Sequence, residues 1–256
     1  MKILLTTPAL ANSRAGNRVT ALRWKNILPE LGHKVTVKVS TEITLHDLAH
    51  LAIPKLERKK VWVIYQSADL VKRKPNKNKY FFDVCVIGHL REEKDPLRTA
   101  YAVRNLPDNS HIRVKQYGKA YKPIWEKRAK KEVLINTRYK WYGEVPHWKI
   151  NQLYANADLM VLSSKMEGGA NVISEACVAG LPIIASDIDG SIGLLGRNYP
   201  GYYLCGNTNS LRELLMKAEM DKLFLARLTK ACRVKASLFT YKKEKNNLKK
   251  LINSFL

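Results

Sequence analysis

Apolar residues along this chain fall into short runs separated by amphipathic stretches. Residues 2–6 read as a buried strand, followed by a polar loop carrying Ser13, Arg14, Gly16 and Asn17. A helix then runs to about Leu31, with Leu22, Ile27, Leu28 and Leu31 spaced to cover one face. Leu31-Gly32-His33 supplies its stop signal. Residues 34–39 alternate as a second strand, and this strand–loop–helix–strand order opens a parallel α/β sheet. The next strand is predicted at 61–65. Beyond residue 80, strand-like runs occur at 83–87, 111–117, 158–162 and 182–185. Helical patterns lie between them near 96–105, 121–134, 146–155 and 170–179, and the tail from about Thr208 is helical throughout. Such alternation predicts a sheet with helices on both faces.

About 70 residues are too few for a complete doubly wound domain, which needs roughly 100 or more. The expected organisation is therefore an incomplete N-terminal α/β domain over 1–70 and a basic linker over 71–80. A Rossmann-like domain with a helical tail then occupies 81–256.

A hydrophobic content of 46% with 26% charged residues is ordinary for a globular protein, but the net charge of +23 is not. Residues 72–79 hold five basic and no acidic residues, and residues 217–256 hold eleven basic against three acidic. This linker and tail suit a solvated face or peripheral contact with an anionic membrane. No RNA-binding aromatic signature or zinc-finger spacing accompanies the charge, so no nucleic-acid partner is expected. Cys85, Cys177, Cys205 and Cys232 form no C-x-x-C pair. They read as free thiols of a reducing, cytoplasmic compartment. No apolar run approaches the roughly 20 residues that span a bilayer. The apolar start superficially resembles a signal peptide, but Pro8 interrupts it, and a first strand fits better.

Candidate chemistry concentrates at residues 163–180. The strand at 158–162 empties into a polar turn with Glu167, Gly168 and Gly169, and a helix follows from about Ala170. Glycines let backbone approach a ligand closely, and the helix's first-turn N–H groups favour phosphate. Glu167 and, eight positions on, Glu175 each offer two acceptor oxygens to sugar hydroxyls. A second element, Gly88-His89-Leu90-Arg91 with Lys94, follows the strand at 83–87, at the sheet edge where open α/β folds bind ligands. Lys94 and Arg91 suit a diphosphate. Third, Arg14, Gly16, Asn17 and Arg18 place two cations beside a helix N-terminus, a further anion site, though Asn17 also suits simple helix capping. His46 and His50 stand one helical turn apart without the glutamate of H-E-x-x-H, so no metal is expected. Ser163, Ser164 and His147 carry no nucleophile signature.

In combination these residues resemble the retaining GT-B glycosyltransferases of family 4, whose hallmark is two glutamates separated by seven residues with glycines after the first. The resemblance implies that Glu167 contacts the donor sugar, Glu175 the nucleotide ribose, and the amides of Ala170, Asn171 and Val172 the sugar or phosphate. It also implies that Gly88, His89, Arg91 and Lys94 form the diphosphate clamp and that Gly143 and Glu144 belong to the segment reading the base. Within the family, 16–24, 63–68, 88–96 and 186–196 are similar to the subfamily of the selenosugar synthase of selenoneine biosynthesis. That likeness implies a UDP-N-acetylglucosamine donor, no cofactor, and a small anionic acceptor, selenophosphate, at Arg14, Gly16, Asn17 and Arg18. Near residues 40–44 the chain departs from that subfamily by lacking much of the N-terminal domain. The expected fold is GT-B-like, with two Rossmann-like domains of which the first is incomplete. The expected activity is leaving-group stabilisation by Lys94 with donor orientation by Glu167. A remnant that binds nucleotide-sugar without turning it over, and a membrane-associated transferase acting on lipid or polysaccharide, are the competing expectations.

Overall fold

The structure, a computed structural model, describes residues 2–7, 16–39, 62–73 and 80–255. The chain divides into two compact units, residues 1–68 with 238–256, and residues 69–237.

In the first unit, strands β1 (Lys2–Thr7) and β2 (Lys34–Val39) pair in parallel with Lys2 opposite Lys34. Helix α1 (Gly16–Ile27) and a 3₁₀ turn (Pro29–Leu31) connect them. These elements match the alternation in the sequence. The strand expected at 61–65 does not form: residues 62–73 carry no strand. Their backbone bonds instead to the end of the chain, Ser67 N–H to the Glu244 carboxylate at 2.9 Å and Ala68 N–H to Phe239 C=O at 3.0 Å.

The tail also corrects the expected division, because its last helix belongs to the first unit and the second unit begins at Asp69. Asn207, Asp221 and Thr240 break the tail into three helices. Each accepts a first-turn N–H, from Ser210, Phe224 and Lys243 respectively. Of these, α7 (Thr208–Met220) and α8 (Lys222–Ala236) cover the second unit, while α9 (Tyr241–Asn253) buries Leu248 and Ile252 against Ile27 and Leu28. Leu248 and Ile252 recur one helical turn apart after Glu244, so the lysines between them face outward. Glu244 itself is fully buried. Burying a carboxylate is costly unless it is well bonded. Here Ser67 Oγ (2.7 Å) and Trp24 Nε1 (3.0 Å) donate to it, with Arg23 Nη1 at 3.5 Å.

The second unit is a six-stranded parallel sheet in the order β5-β4-β3-β6-β7-β8. Its strands are β3 (Phe82–Ile87), β4 (Ile112–Tyr117), β5 (Tyr139–Trp141), β6 (Leu159–Leu162), β7 (Ile183–Ser186) and β8 (Tyr202–Tyr203). The connecting helices are α2 (Arg98–Val103), α3 (Pro123–Ile135), α4 (His147–Asn156), α5 (Asn171–Ala179) and α6 (Asp189–Leu195). Central β6 and β7 are buried at every position, as expected for apolar runs covered on both faces. β5, β8 and α6 were not expected from the sequence. Strand order reverses between β3 and β6, and a doubly wound sheet opens a crevice beyond the carboxyl ends of the strands flanking that switch.

Candidate functional site

Both leading motifs converge on this crevice. Gly88, His89 and Lys94 follow β3, Ser163 and Ser164 follow β6, and together with Gln116 and Pro96 they line one cleft. Lys94 closes a 3₁₀ turn (Glu92–Lys94). Ser163 Oγ donates to the carbonyls of Lys94 (3.1 Å) and Asp95 (3.0 Å), which ties the two loops together. Lys165 N–H adds a bond to Glu93 C=O at 2.8 Å. Across this junction the Lys94 ammonium forms an ion pair with Glu167 Oε1, and Ser164 Oγ donates to the same oxygen at 2.6 Å. The two side chains are only 19% and 10% exposed. The cation proposed for phosphate and the carboxylate proposed for sugar therefore hold each other at this cleft.

Glycines shape the backbone around this pair. Gly118 has φ +144°, and an added Cβ would lie 2.1 Å from Gly88 C=O. Any side chain there would push the clamp loop aside. Gly190, at the start of α6, backs the Glu167 turn so closely that a Cβ would meet the Glu167 carbonyl at 2.0 Å. Gly88 and Gly169 are the opposite case: an added Cβ meets open space among the described residues, which leaves room for a ligand. Gly168 completes the turn before α5. Ala170 N-caps α5 without a side-chain bond, and the first turn, from Asn171, holds no acidic residue. Its positive end suits an anion.

Gly143, at φ +68°, accepts from Gly118 N–H at 2.7 Å, so the segment expected to read the base is sewn to the clamp loop. Glu144 lies close enough to act on His89 electrostatically. Burial lowers the His89 pKa, the Glu144 carboxylate opposes that, and Arg91 and Lys94 add to the lowering. His89 Nδ1 accepts from Lys119 N–H at 3.1 Å, so the imidazole is anchored to the neighbouring loop. Arg91 is engaged elsewhere. Its guanidinium pairs with Glu93 at 2.9 Å and lies 5.7 Å from the Tyr121 ring centroid. Lys94 is thus the cation that the cleft itself presents. On α5, Glu175 accepts from the buried Tyr154 hydroxyl at 2.7 Å, and His147 Nε2 lies 3.9 Å from its other oxygen.

The third sequence candidate is described only in part. Gly16, Asn17 and Arg18 open α1, where only the helix itself is described, and Arg14 lies outside the described residues. His46, His50 and residues 74–79 of the basic linker also lie outside them. Arg73 of that linker donates to Ala157 C=O at 2.8 Å, a structural contact within the second unit. Among the described residues no three His, Cys, Asp or Glu gather to hold a metal ion, and no helix is long and apolar enough to cross a membrane. Sequence reasoning missed Ser164, Tyr154 and Gly190 as supports of the site. Ser164 stands in the 163–180 stretch and Gly190 in the 186–196 stretch already singled out, whereas Tyr154 left no sequence signal.

A doubly wound sheet presenting a cation, two carboxylates and a helix N-terminus at its switch point defines an α/β domain of the GT-B type. The chain belongs to the family of group 1 glycosyl transferases, whose sequence pattern matches residues 67–235. It is 25% identical over 138 residues to TuaC of Bacillus subtilis (strain 168), a glycosyltransferase assigned to teichuronic acid biosynthesis, covering 54% of this chain and 33% of TuaC. Among solved structures it is similar to Anabaena Alr3699/HepE in complex with UDP and glucose, at 20% identity and TM-score 0.62. That match covers 68% of this chain and 48% of HepE. A glycosyltransferase from Rickettsia africae ESF-5 matches 98% of this chain and 70% of its own length at 16% identity and TM-score 0.69. The chain thus spans a third of the curated relative and about half of HepE. These likenesses bear out the α/β, GT-B-like fold expected from the motifs.

Proposed function

We propose that this chain is a glycosyltransferase that moves a sugar, N-acetylglucosamine by the subfamily resemblance, from a UDP donor to a small anionic acceptor, selenophosphate. The observation that carries the reading is the ion pair of Glu167 with Lys94, which lines the cleft at the switch point of the sheet. In this scheme the diphosphate takes over Lys94, while the positive end of α5 faces the phosphates and Glu167 turns to the sugar hydroxyls. Glu175 receives the ribose, and Gly143 and Glu144 stand by the base. As the anomeric carbon bonds to the acceptor, its bond to the diphosphate oxygen breaks and UDP leaves with the electron pair. Lys94 stabilises that developing charge, and such electrostatic stabilisation is commonly a large contribution to rate. UDP in the HepE complexes supports the choice of donor nucleotide for a protein of this fold. The acceptor assignment rests on Arg14, Gly16, Asn17 and Arg18 and on the subfamily resemblance.

The test is release of UDP from UDP-N-acetylglucosamine on addition of selenophosphate, with UDP-glucose run in parallel. Release that depends on selenophosphate and on Lys94 supports the proposal. UDP binding without release under either donor would leave a nucleotide-sugar-binding protein and overturn the enzyme reading. Peripheral contact with an anionic membrane in a cytoplasmic setting is a further part of the proposal, supported by the exposed Lys242, Lys243, Lys249 and Lys250 of α9. Failure to co-sediment with anionic vesicles at low salt would remove that part.

A further inference from the structure

Helix α4 buries a single residue, Tyr154, which is 0% exposed, and its hydroxyl donates to Glu175 Oε2 at 2.7 Å. No sequence motif singles out this tyrosine, which lies 21 positions before its partner. Its chemistry suits one task. Burial first, and the Glu175 carboxylate second, push the phenol pKa well above its ordinary value. The hydroxyl therefore remains a donor at any physiological pH. The Glu175 side chain is 25% exposed, and His147 Nε2 lies 3.9 Å from its other oxygen. Losing a bond to this carboxylate widens the set of rotamers it samples, and ordering it on ligand binding then costs affinity. A carboxylate has roughly four lone-pair sites, so one bond from a buried donor fixes its plane and keeps acceptor capacity for a ligand.

We propose that Tyr154 is a positioning residue that pre-orients the Glu175 carboxylate for the vicinal hydroxyls of a nucleoside diphosphate, and so sets the selectivity for ribose over sugars lacking that diol. The inference rests on the proposed role of Glu175 and goes one step deeper. Rigid supports of this kind raise affinity by lowering the ordering cost of the contacting group.

The experiment compares binding of UDP and of its 2′,3′-dideoxy analogue by titration calorimetry to the full chain. Wild-type protein is expected to prefer UDP, and Glu175→Ala to erase the preference. A wild type without preference, or a Glu175→Ala variant that keeps it, would refute the Glu175 assignment itself. With that assignment standing, Tyr154→Phe is expected to weaken UDP by about fivefold while leaving the dideoxy analogue unchanged. A Tyr154→Phe variant with the full wild-type preference, or with both ligands weakened equally, overturns the positioning role, since a merely structural tyrosine would produce one of those results. Should the phenylalanine variant fail to fold, Tyr154→Met serves instead, filling the buried site without a donor and leaving Glu175 unchanged. Its loss of preference supports the inference, and full preference overturns it.

Discussion

The Lys94–Glu167 pair makes an unusual prediction: removing a carboxylate from the proposed donor site should tighten UDP binding. The Lys94 ammonium is held by Glu167 Oε1, with Ser164 Oγ at 2.6 Å on the same oxygen. A diphosphate must displace that carboxylate and then sit near its negative charge. Two unit charges about 4 Å apart interact by about 4 kcal/mol at an effective dielectric of about 20. Desolvation and side-chain ordering reduce exposed pairs to about 0.2–1 kcal/mol, whereas breaking a fully buried pair costs about 3–5 kcal/mol. With exposures of 19% and 10% this pair falls between those limits. A net competition of about 1–2 kcal/mol follows, worth roughly 5- to 30-fold in affinity. We predict that Glu167→Gln binds UDP more tightly by that factor, that Lys94→Ala binds it more weakly, and that Glu167→Gln loses most of the extra affinity conferred by the donor sugar. Calorimetric titration of UDP and UDP-N-acetylglucosamine against the three proteins at fixed salt is the assay. Weakening of UDP by Glu167→Gln to the extent seen with Lys94→Ala would show that Glu167 supports the nucleotide directly, and would refute the competition.

Three further outcomes follow from the same contacts. Glu244→Ala strands donors from Ser67, Trp24 and Arg23 in the first unit and should cost about 2–4 kcal/mol in urea unfolding; an unchanged midpoint would contradict the buried network. Gly190→Ala places a Cβ against the Glu167 carbonyl and should lower donor affinity at least about tenfold by misplacing the turn, whereas Gly193→Ala, whose added Cβ meets no atom of the described residues within 4 Å, should be silent. Equal effects of the two would undo the claim. Because the folded pKa of His89 is depressed, the unfolded chain binds the proton more readily. Its stabilising contribution is thus full above about pH 6.5 and is lost as pH falls through the lowered value, so His89→Gln should flatten the acid side of the stability profile. Identical profiles would show that His89 does not contribute.

Much of the second unit was legible because its central strands are apolar runs bounded by polar turns, a pattern that burial on both faces demands. β5 and β8 escaped because three and two residues are too few to show a period. Residues 61–65 carried the apolar character of a strand, but their neighbours satisfy backbone groups on the distant residues Phe239 and Glu244. Helix α9 reads as a solvated lysine run until Glu244, Leu248 and Ile252 are seen to share its buried side. At the site, Glu167, Gly169, Gly88 and Lys94 were readable because close approach requires glycine and anion capture requires a cation. Tyr154 and Gly190 were not, since each acts on a residue more than 20 positions away through a contact that only the packed fold creates.

The central claim is that this cleft receives a uridine nucleotide through Lys94, the Glu-Gly-Gly turn and Glu175. Thermal unfolding with UDP, GDP and ADP tests it most directly, because a ligand that binds only the folded state stabilises by about 2.7 kcal/mol at 100 times its Kd. The account predicts stabilisation by UDP above the other two, diminished in Glu175→Ala. Unchanged UDP stabilisation in Glu175→Ala would contradict it.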